Sequence, residues 1–259
     1  MVSRLPMQHV ECFHLGFLRL LEVRLNRAMW VVKGGVNLRA WFGSRRYSED
    51  LDLDALGGAP HTLRERVDGV LQSRPLADLL RAQGLHIARV SKSKQTDTTQ
   101  RWKIALGADG VAVPLHTKVE FSRRTTRDEE YALEAVRSDI VRPYGLPSPT
   151  VNHYTAQAAI RQKIRALASR SETPARDVWD LDHLLRTTQA DPRSLTTDLQ
   201  AAVPVAIDKL TALGYDVFRS QVVPYLAPDD QEVYGTRDAW TRMTALVVER
   251  LLETSRGAP

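Results

Sequence analysis

The sequence predicts an α/β (α+β) fold, with strands and helices mixed through the first part of the chain and helices alone in the second. Three observations carry this. Leu51, Leu53 and Ala55 alternate with Asp50, Asp52 and Asp54, and Thr117, Val119 and Phe121 alternate with His116, Lys118 and Glu120. Both runs have the period of two that marks a strand with one buried face. Beyond Thr150 the apolar residues recur at helical spacing instead, as in Ala156, Ile160, Ile164 and Leu167. Between the two regimes Pro143, Gly145, Pro147 and Pro149 mark a boundary, so residues 1–145 and 146–259 are expected as two domains.

The elements follow in order. Val10, Phe13, Phe17, Leu21 and Leu25 predict an amphipathic helix over residues 8–28, with His9 and His14 at its surface or margin and Cys12 as a small buried hydrophobe. Trp30-Val31-Val32 reads as a short strand that stops at Gly34-Gly35, and a short helix from Val36 to Phe42 carries Arg39. After the acidic strand, Gly57-Gly58-Ala59-Pro60 is a turn, and Thr62 is expected to cap a helix reaching Leu71. Pro75 closes that region before another short helix, Leu76 to Ala82. Leu85–Val90 and Trp102–Leu106 are expected as the arms of a long hairpin, with 91–97 as its polar loop. Strand Leu115–Phe121 follows, then a charged loop over 123–130 and a last strand at Asp139-Ile140-Val141.

In the helical part, Arg161 and Arg165 are placed on an outer face and Lys163 at the edge of the apolar stripe. There a lysine stem packs while its ammonium reaches into a cleft. Thr173-Pro174 signals the start of a helix with Asp177 in its opening turns, where the helix dipole favours an anion, and with Val178, Leu181 and Leu185 facing inward. Lys163 and Asp177 are expected close in space. Helices continue over 194–256, with turns near Gly214 and Pro224-Tyr225 and a last apolar face of Leu246, Val247, Leu251 and Leu252. Trp179, Tyr215, Phe218 and Trp240 are read as core.

Composition narrows the function. The chain has 259 residues, 43% apolar and 26% charged, as in an ordinary globular protein. A single cysteine excludes a disulfide framework and a cysteine-rich zinc site. No apolar run approaches membrane-spanning length and no signal-peptide layout opens the chain, so a cytoplasmic protein is expected, with no membrane partner. A net charge of +5 permits a nucleic-acid partner without establishing one.

The chemistry sits between residues 33 and 54. Glycines after a strand let backbone N–H groups approach an anion, and the following helix aims its positive end the same way. Carboxylates repeating with period two on a strand raise one another's pKa unless a cation lies among them. The natural cation for clustered hard oxygens is Mg²⁺, which brings phosphate with it.

The block Gly34-Gly35-Val36-Asn37-Leu38-Arg39, continued by Arg46-Tyr47-Ser48-Glu49-Asp50-Leu51-Asp52, resembles the AbiEii/MenT-type nucleotidyltransferase toxins of the DNA-polymerase-β-like superfamily. It departs from the wider superfamily in having glycine where the turn carries serine. The resemblance implies a mixed, mainly antiparallel sheet whose acidic edge is closed over by the helical part, with the substrate cleft between them. It implies Mg²⁺, or Mn²⁺ in its place, on Asp50 and Asp52. The strand Lys118-Val119-Glu120 matches the family's Lys-x-acid strand, which makes Glu120 the third carboxylate. Gly34, Gly35, Arg39, Arg46 and Ser48 are implied at the nucleotide. Lys163 and the segment Arg176-Asp177-Val178-Trp179-Asp180-Leu181 match the family's lysine helix and acidic helix, so Lys163 is implied to neutralise phosphate charge beside a catalytic Asp177. The expected protein is a monomeric enzyme that transfers nucleotides from an NTP to RNA, above all to the 3′ end of tRNA, and has a cognate antitoxin. A small-molecule nucleotidyltransferase and a non-catalytic nucleotide-binding module are the alternatives.

Overall fold

The computed structural model describes residues 4–123, 129–172, 174–189 and 197–256. They form two compact units, one of residues 1–41 and 47–154, the other of 42–46 and 155–259.

The first unit opens with helix α1 (Pro6–Arg24), followed by strand β1 (Trp30–Lys33), helix α2 (Gly34–Phe42) and strand β2 (Leu51–Ala55). Helices α3 (Pro60–Leu71) and α4 (Arg74–Arg81) come next, then the long strands β3 (Leu85–Gln95), β4 (Thr99–Ala108) and β5 (Val111–Ser122). Strand β6 (Tyr131–Ala135), helix α5 (Ser138–Val141) and strand β7 (Thr150–Tyr154) complete it. One seven-stranded sheet results, in the order β3-β4-β5-β2-β1-β7-β6. β2 runs parallel to β5 and β1 parallel to β7, while the other neighbours are antiparallel. The sheet is therefore mixed and mainly antiparallel, as expected.

One face of this sheet is the core. Phe13, Phe17, Leu18 and Leu21 of α1 are fully buried, as are Leu51, Leu53, Val119, Phe121, Trp102 and Leu106 of the strands. Trp102 meets Phe121 edge-on, ring centroids 6.2 Å apart. Cys12 is wholly buried, as its apolar neighbours require.

Several elements differ from the sequence reading, each for a local reason. Pro60 occupies the first turn of α3, so Thr62 lies inside the helix and caps nothing. Pro75 likewise opens α4 rather than closing the region, because Ser73 accepts the Leu76 N–H at the cap. The polar run 91–95 continues β3, since at the sheet edge its backbone pairs with β4 and its side chains need no apolar partner. Asp139-Ile140-Val141 is helical, not a strand. The proline cluster 143–149 precedes β7, so the chain is not yet helical at Thr150 and the sheet unit runs on to Tyr154.

The second unit is helical: α6 (Ala156–Ser169), α7 (Ala175–Thr187), α8 (Thr197–Thr211), α9 (Tyr215–Gln221), α10 (Pro228–Tyr234) and α11 (Arg237–Arg256). Thr155 caps α6 by accepting the Ala158 N–H. Ile160, Ile164 and Leu167 form the expected buried stripe, and Val178, Leu181 and Leu184 do so on α7, with Leu184 taking the inward place read for Leu185. Phe218 stacks on Trp240 at 4.8 Å, and both are buried with Trp179. Arg161 is buried rather than on an outer face. Thr173 lies outside the described residues, and Pro174 is the cap of α7, not its first helical residue. Residues 124–128 of the charged loop, Arg124 among them, also lie outside the described residues. Among the described residues no helix is long and apolar enough to cross a membrane.

Candidate active site

The acidic strand and the glycine turn meet in the sheet unit. β1 pairs with β2 so that Lys33 stands opposite Asp52, and β2 pairs with β5 so that Asp52 stands opposite Glu120. Residues opposite one another share a face of the sheet. Lys33, Asp52 and Glu120 thus form one row across β1, β2 and β5.

The carboxylates differ in their partners. Asp50 takes the ammonium of Lys118 at 2.9 Å, and Glu120 takes the guanidinium of Arg101 at 2.5 Å. Asp54, buried but on the same face as Asp52 by alternation, is held by Lys33 at 2.5 Å and by the Tyr154 hydroxyl at 2.8 Å. Asp52 alone of the four makes no hydrogen bond or ion pair among the described residues. Burial raises its pKa, and the charges of Asp50 and Glu120 push the same way, against the pull of Lys118 and Lys33. Burial opposes the charge of Lys118, but Asp52 and Asp50 outweigh it and hold the ammonium above its usual range.

Gly34 is built against the Asp52 carboxylate. It adopts φ +70°, and a Cβ at this position would stand 3.3 Å from Asp52 Oδ2. The turn that starts α2 therefore needs glycine twice over, for its backbone angle and for its distance from Asp52. Gly34→Ala should cost about 1–2 kcal/mol from the left-handed backbone alone. It should also lower activity, since the new methyl presses on Asp52. Thermal unfolding beside a transfer assay measures both, and an unchanged melting temperature would overturn the account.

Ser48 shapes the entry to β2, its hydroxyl donating to the Asp50 carbonyl at 2.8 Å. The residue after it is fixed from behind. His14 Nε2 lies 2.8 Å from Thr117 Oγ1, and that hydroxyl donates to the Glu49 carbonyl at 2.8 Å. His14 is thus not marginal but 2% exposed, and burial pushes its pKa down to about 3, so it stays neutral. Neither His14 nor Thr117 was recognisable as part of this support from the sequence, because Thr117 reads simply as an inward strand position.

The two arginines read at the nucleotide are engaged elsewhere. Arg39 bonds Glu11 at 2.7 Å and lies 4.1 Å over the Tyr47 ring. Arg46 belongs to the helical unit and is 4% exposed on its side chain, with Nη2 3.1 Å from both oxygens of Asp180.

The helical unit gathers its own charges. Lys163 contacts Asp177 at 2.7 Å and Asp180 at 2.6 Å, as the expected proximity of Lys163 and Asp177 requires. Arg170 holds the second oxygen of Asp177 at 2.5 Å. Burial alone would lower the pKa of Lys163, but its two carboxylates outweigh it and raise it. Burial likewise works against ionised Asp180, yet Arg46 and Lys163 hold its carboxyl below the usual range. The chain Arg46–Asp180–Lys163–Asp177–Arg170 alternates in sign throughout. Asp180 shares the Lys163 ammonium because its i+3 spacing from Asp177 on α7 places it on the same face, a partner that the residue order alone does not single out.

The donors at β2 and β5 are all hard oxygens, the chemistry that suits Mg²⁺ or Mn²⁺. Asp52, with no direct ion pair among the described residues and with its pKa raised by burial, is the group that such an ion would suit best. Among the described residues no three His, Cys, Asp or Glu side chains already stand together as a metal site. Lys118 and Arg101 hold Asp50 and Glu120 instead.

The description "Nucleotidyl transferase AbiEii toxin, Type IV TA system" belongs to the family model that matches residues 17–247. JHP933 from Helicobacter pylori is similar in structure at a TM-score of 0.59 and 18% identity, over 99% of this chain and 97% of that one. A putative nucleotidyltransferase from H. pylori gives a TM-score of 0.59 at 19% identity, with 97% and 98% covered. MenT4, a nucleotidyltransferase toxin from Mycobacterium tuberculosis H37Rv, gives 0.56 at 21% identity, with 95% and 83% covered. At these identities the likeness is one of fold. No curated protein matches the chain.

Proposed function

The chain belongs to the AbiEii nucleotidyltransferase toxin family, and on that premise we propose that it is a Mg²⁺-dependent enzyme that transfers nucleotides from an NTP to RNA, with the 3′ end of tRNA as acceptor. The observation that carries the reading is Asp52, an unpaired carboxylate in register with Glu120, next to Asp50 and against the glycine turn.

Asp50 and Asp52 would hold the ion, with Mn²⁺ able to replace Mg²⁺ and Glu120 as the third candidate ligand. The chemistry such an ion supplies when bound is neutralisation of triphosphate charge and acidification of the attacking hydroxyl. The backbone N–H groups of Gly34 and Gly35 bind phosphate oxygens, and the Ser48 hydroxyl joins them by exchanging the Asp50 carbonyl for a phosphate oxygen. The acceptor 3′-hydroxyl oxygen bonds to the α-phosphorus, the bond to the bridging oxygen breaks, and pyrophosphate leaves. Glu120, opposite Asp52, either completes the metal site or takes the hydroxyl proton. The family resemblance also gives Lys163 the neutralisation of phosphate charge, with Asp177 and Asp180 fixing its ammonium. We read Arg39 and Arg46 as ties within their own units and not as nucleotide ligands. Membership of a type IV toxin–antitoxin family implies an antitoxin partner.

Incubation with tRNA, Mg²⁺ and each labelled NTP tests this. Label is expected at the RNA 3′ end, and Asp50→Ala should abolish it. No transfer with any NTP, or full transfer by Asp50→Ala, would overturn the reaction. Label on a small-molecule acceptor but never on RNA would overturn the acceptor. Expression in bacteria should halt growth, with Asp50→Ala relieving the arrest at matched protein level; equal arrest by both would remove the toxin reading.

A further inference from the structure

Strands β3, β4 and β5 carry six Lys or Arg residues and a single acid, Glu120. Register sorts these charges by face. Ser91 stands opposite Lys103 and Lys103 opposite Lys118; Lys94 stands opposite Arg101 and Arg101 opposite Glu120, which itself faces Asp52; Arg89 stands opposite Ala105. Trp102, Ile104 and Leu106 alternate with these residues and are buried in the core. Arg89, Lys94, Arg101, Lys103 and Lys118 therefore lie on the face opposite the core, the face that carries Asp52 and Glu120. Lys92 is excluded from it. Its ammonium bonds Asp68 of α3 at 2.6 Å, and Asp68 also accepts the Trp102 indole N–H.

The cations on this face divide into two groups. Lys118 and Arg101, nearest β2, are paired with Asp50 and Glu120. Arg89, Lys94 and Lys103, further out, make no hydrogen bond or ion pair among the described residues, and Arg89 and Lys103 are exposed. Like charges gathered without counter-charge on a flat surface are unfavourable for the fold itself and suit a polyanion. The surface between them is low. Ala105 and Gly107 project almost nothing, and the exposed His86 imidazole lies across Gly107, where a Cβ would come within 2.3 Å of it. An exposed ring over a glycine on a basic sheet face is a place for a base to stack. From β3 to β2 is three strand spacings, roughly 14 Å.

We propose that the outer face of β3, β4 and β5 binds the RNA acceptor, its phosphates on Arg89, Lys94 and Lys103, and so leads its 3′ end towards Asp52. The proposal deepens the transferase reading and rests on it. The charge pattern favours a nucleic acid over an acidic protein because the cations are separated by small residues and flanked by a ring, not by an apolar patch.

The triple variant Arg89→Ala/Lys94→Ala/Lys103→Ala tests it, with Lys92→Ala as the control from the other face. RNA binding by the full chain is measured against salt, beside transfer to full-length tRNA and to a dinucleotide too short to reach β4 or β3. Without these three phosphate-binding cations, the slope of log affinity on log salt should become shallower by about 2. Affinity at low salt should fall on the order of tenfold or more. The KM for tRNA should rise while the KM for NTP, and transfer to the dinucleotide, stay as in wild type. Wild-type affinity and slope in the triple variant, with transfer intact, would overturn this surface and leave the transferase reading standing. Failure of the wild-type protein to bind or label any RNA would overturn both.

Discussion

Asp52→Asn should abolish nucleotidyl transfer and leave the protein at least as stable as wild type. The two effects have one cause. Asp52 is held against burial and against the charges of Asp50 and Glu120, and no residue pairs with it directly among the described residues. Charging a carboxylate in that position costs the fold, and the charge becomes useful only when a cation is shared with the substrate phosphates. The amide keeps the shape and removes the charge. Loss of several kcal/mol of transition-state stabilisation corresponds to a rate loss on the order of 10³-fold or more. The pH dependence follows from the same sign. The folded-state pKa of Asp52 is raised, so above the unfolded value of about 3.9 the native state binds more protons than the unfolded one, and stability falls as pH rises. The variant lacks this contribution. Its stability advantage should therefore be absent below about pH 4 and develop as pH rises through the folded-state pKa. Thermal unfolding from pH 3 to 8, with transfer assays on the same preparations, measures both. A melting temperature several degrees below wild type at pH 7, or transfer within tenfold of wild type, would refute the argument.

How much of this was legible in the sequence depends on what each feature leaves in the residue order. Alternation at 50–55 and 115–121 is strong because one face of each strand is fully buried, and it marked both strands and the right face for Asp52 and Glu120. The glycine turn was legible because its backbone angle demands that residue. Strand β6 was missed: it lies at the sheet edge, and Tyr131 and Leu133 are exposed, so no buried period marks it. Asp139-Ile140-Val141 has too few residues to show any period, and β-branched composition misled where a four-residue helix forms. Partners across the sheet leave no trace in sequence spacing. Arg101 and Glu120 are 19 positions apart, and only the β4–β5 register brings them together. The same holds for Arg46 and Asp180, 134 positions apart, whose bond places Arg46 in the interior of the helical unit.

That bond sets the largest expected stability effect. Asp180 is 0% exposed and is held by Arg46, itself 4% exposed, and by Lys163. Asp180→Ala leaves both cations in place and takes away the charge they share, so the loss should be about 3–5 kcal/mol, as for other buried ion pairs broken from one side. For a chain of this size that is roughly 10 °C in melting temperature. Asp182, two positions on, is the comparison within the same helix. It pairs with Arg186, which is 47% exposed, and burial raises the pKa of Asp182. Asp182→Ala should change stability by less than about 1 kcal/mol. Because Asp180 is held below the usual carboxylate range, its contribution is present above about pH 4 and is lost as pH falls through the folded-state pKa, opposite in direction to Asp52. Lys163 bridges Asp180 and Asp177, so Lys163→Ala also breaks this network, and its inactivity in a growth assay reports on chemistry only when the fold is measured alongside. Lys163→Arg keeps the charge and offers a matched control. Equal melting temperatures for Asp180→Ala and Asp182→Ala would show that the buried network contributes no more than a surface pair, and Lys163 would then be free to be read as a phosphate-binding residue from activity alone.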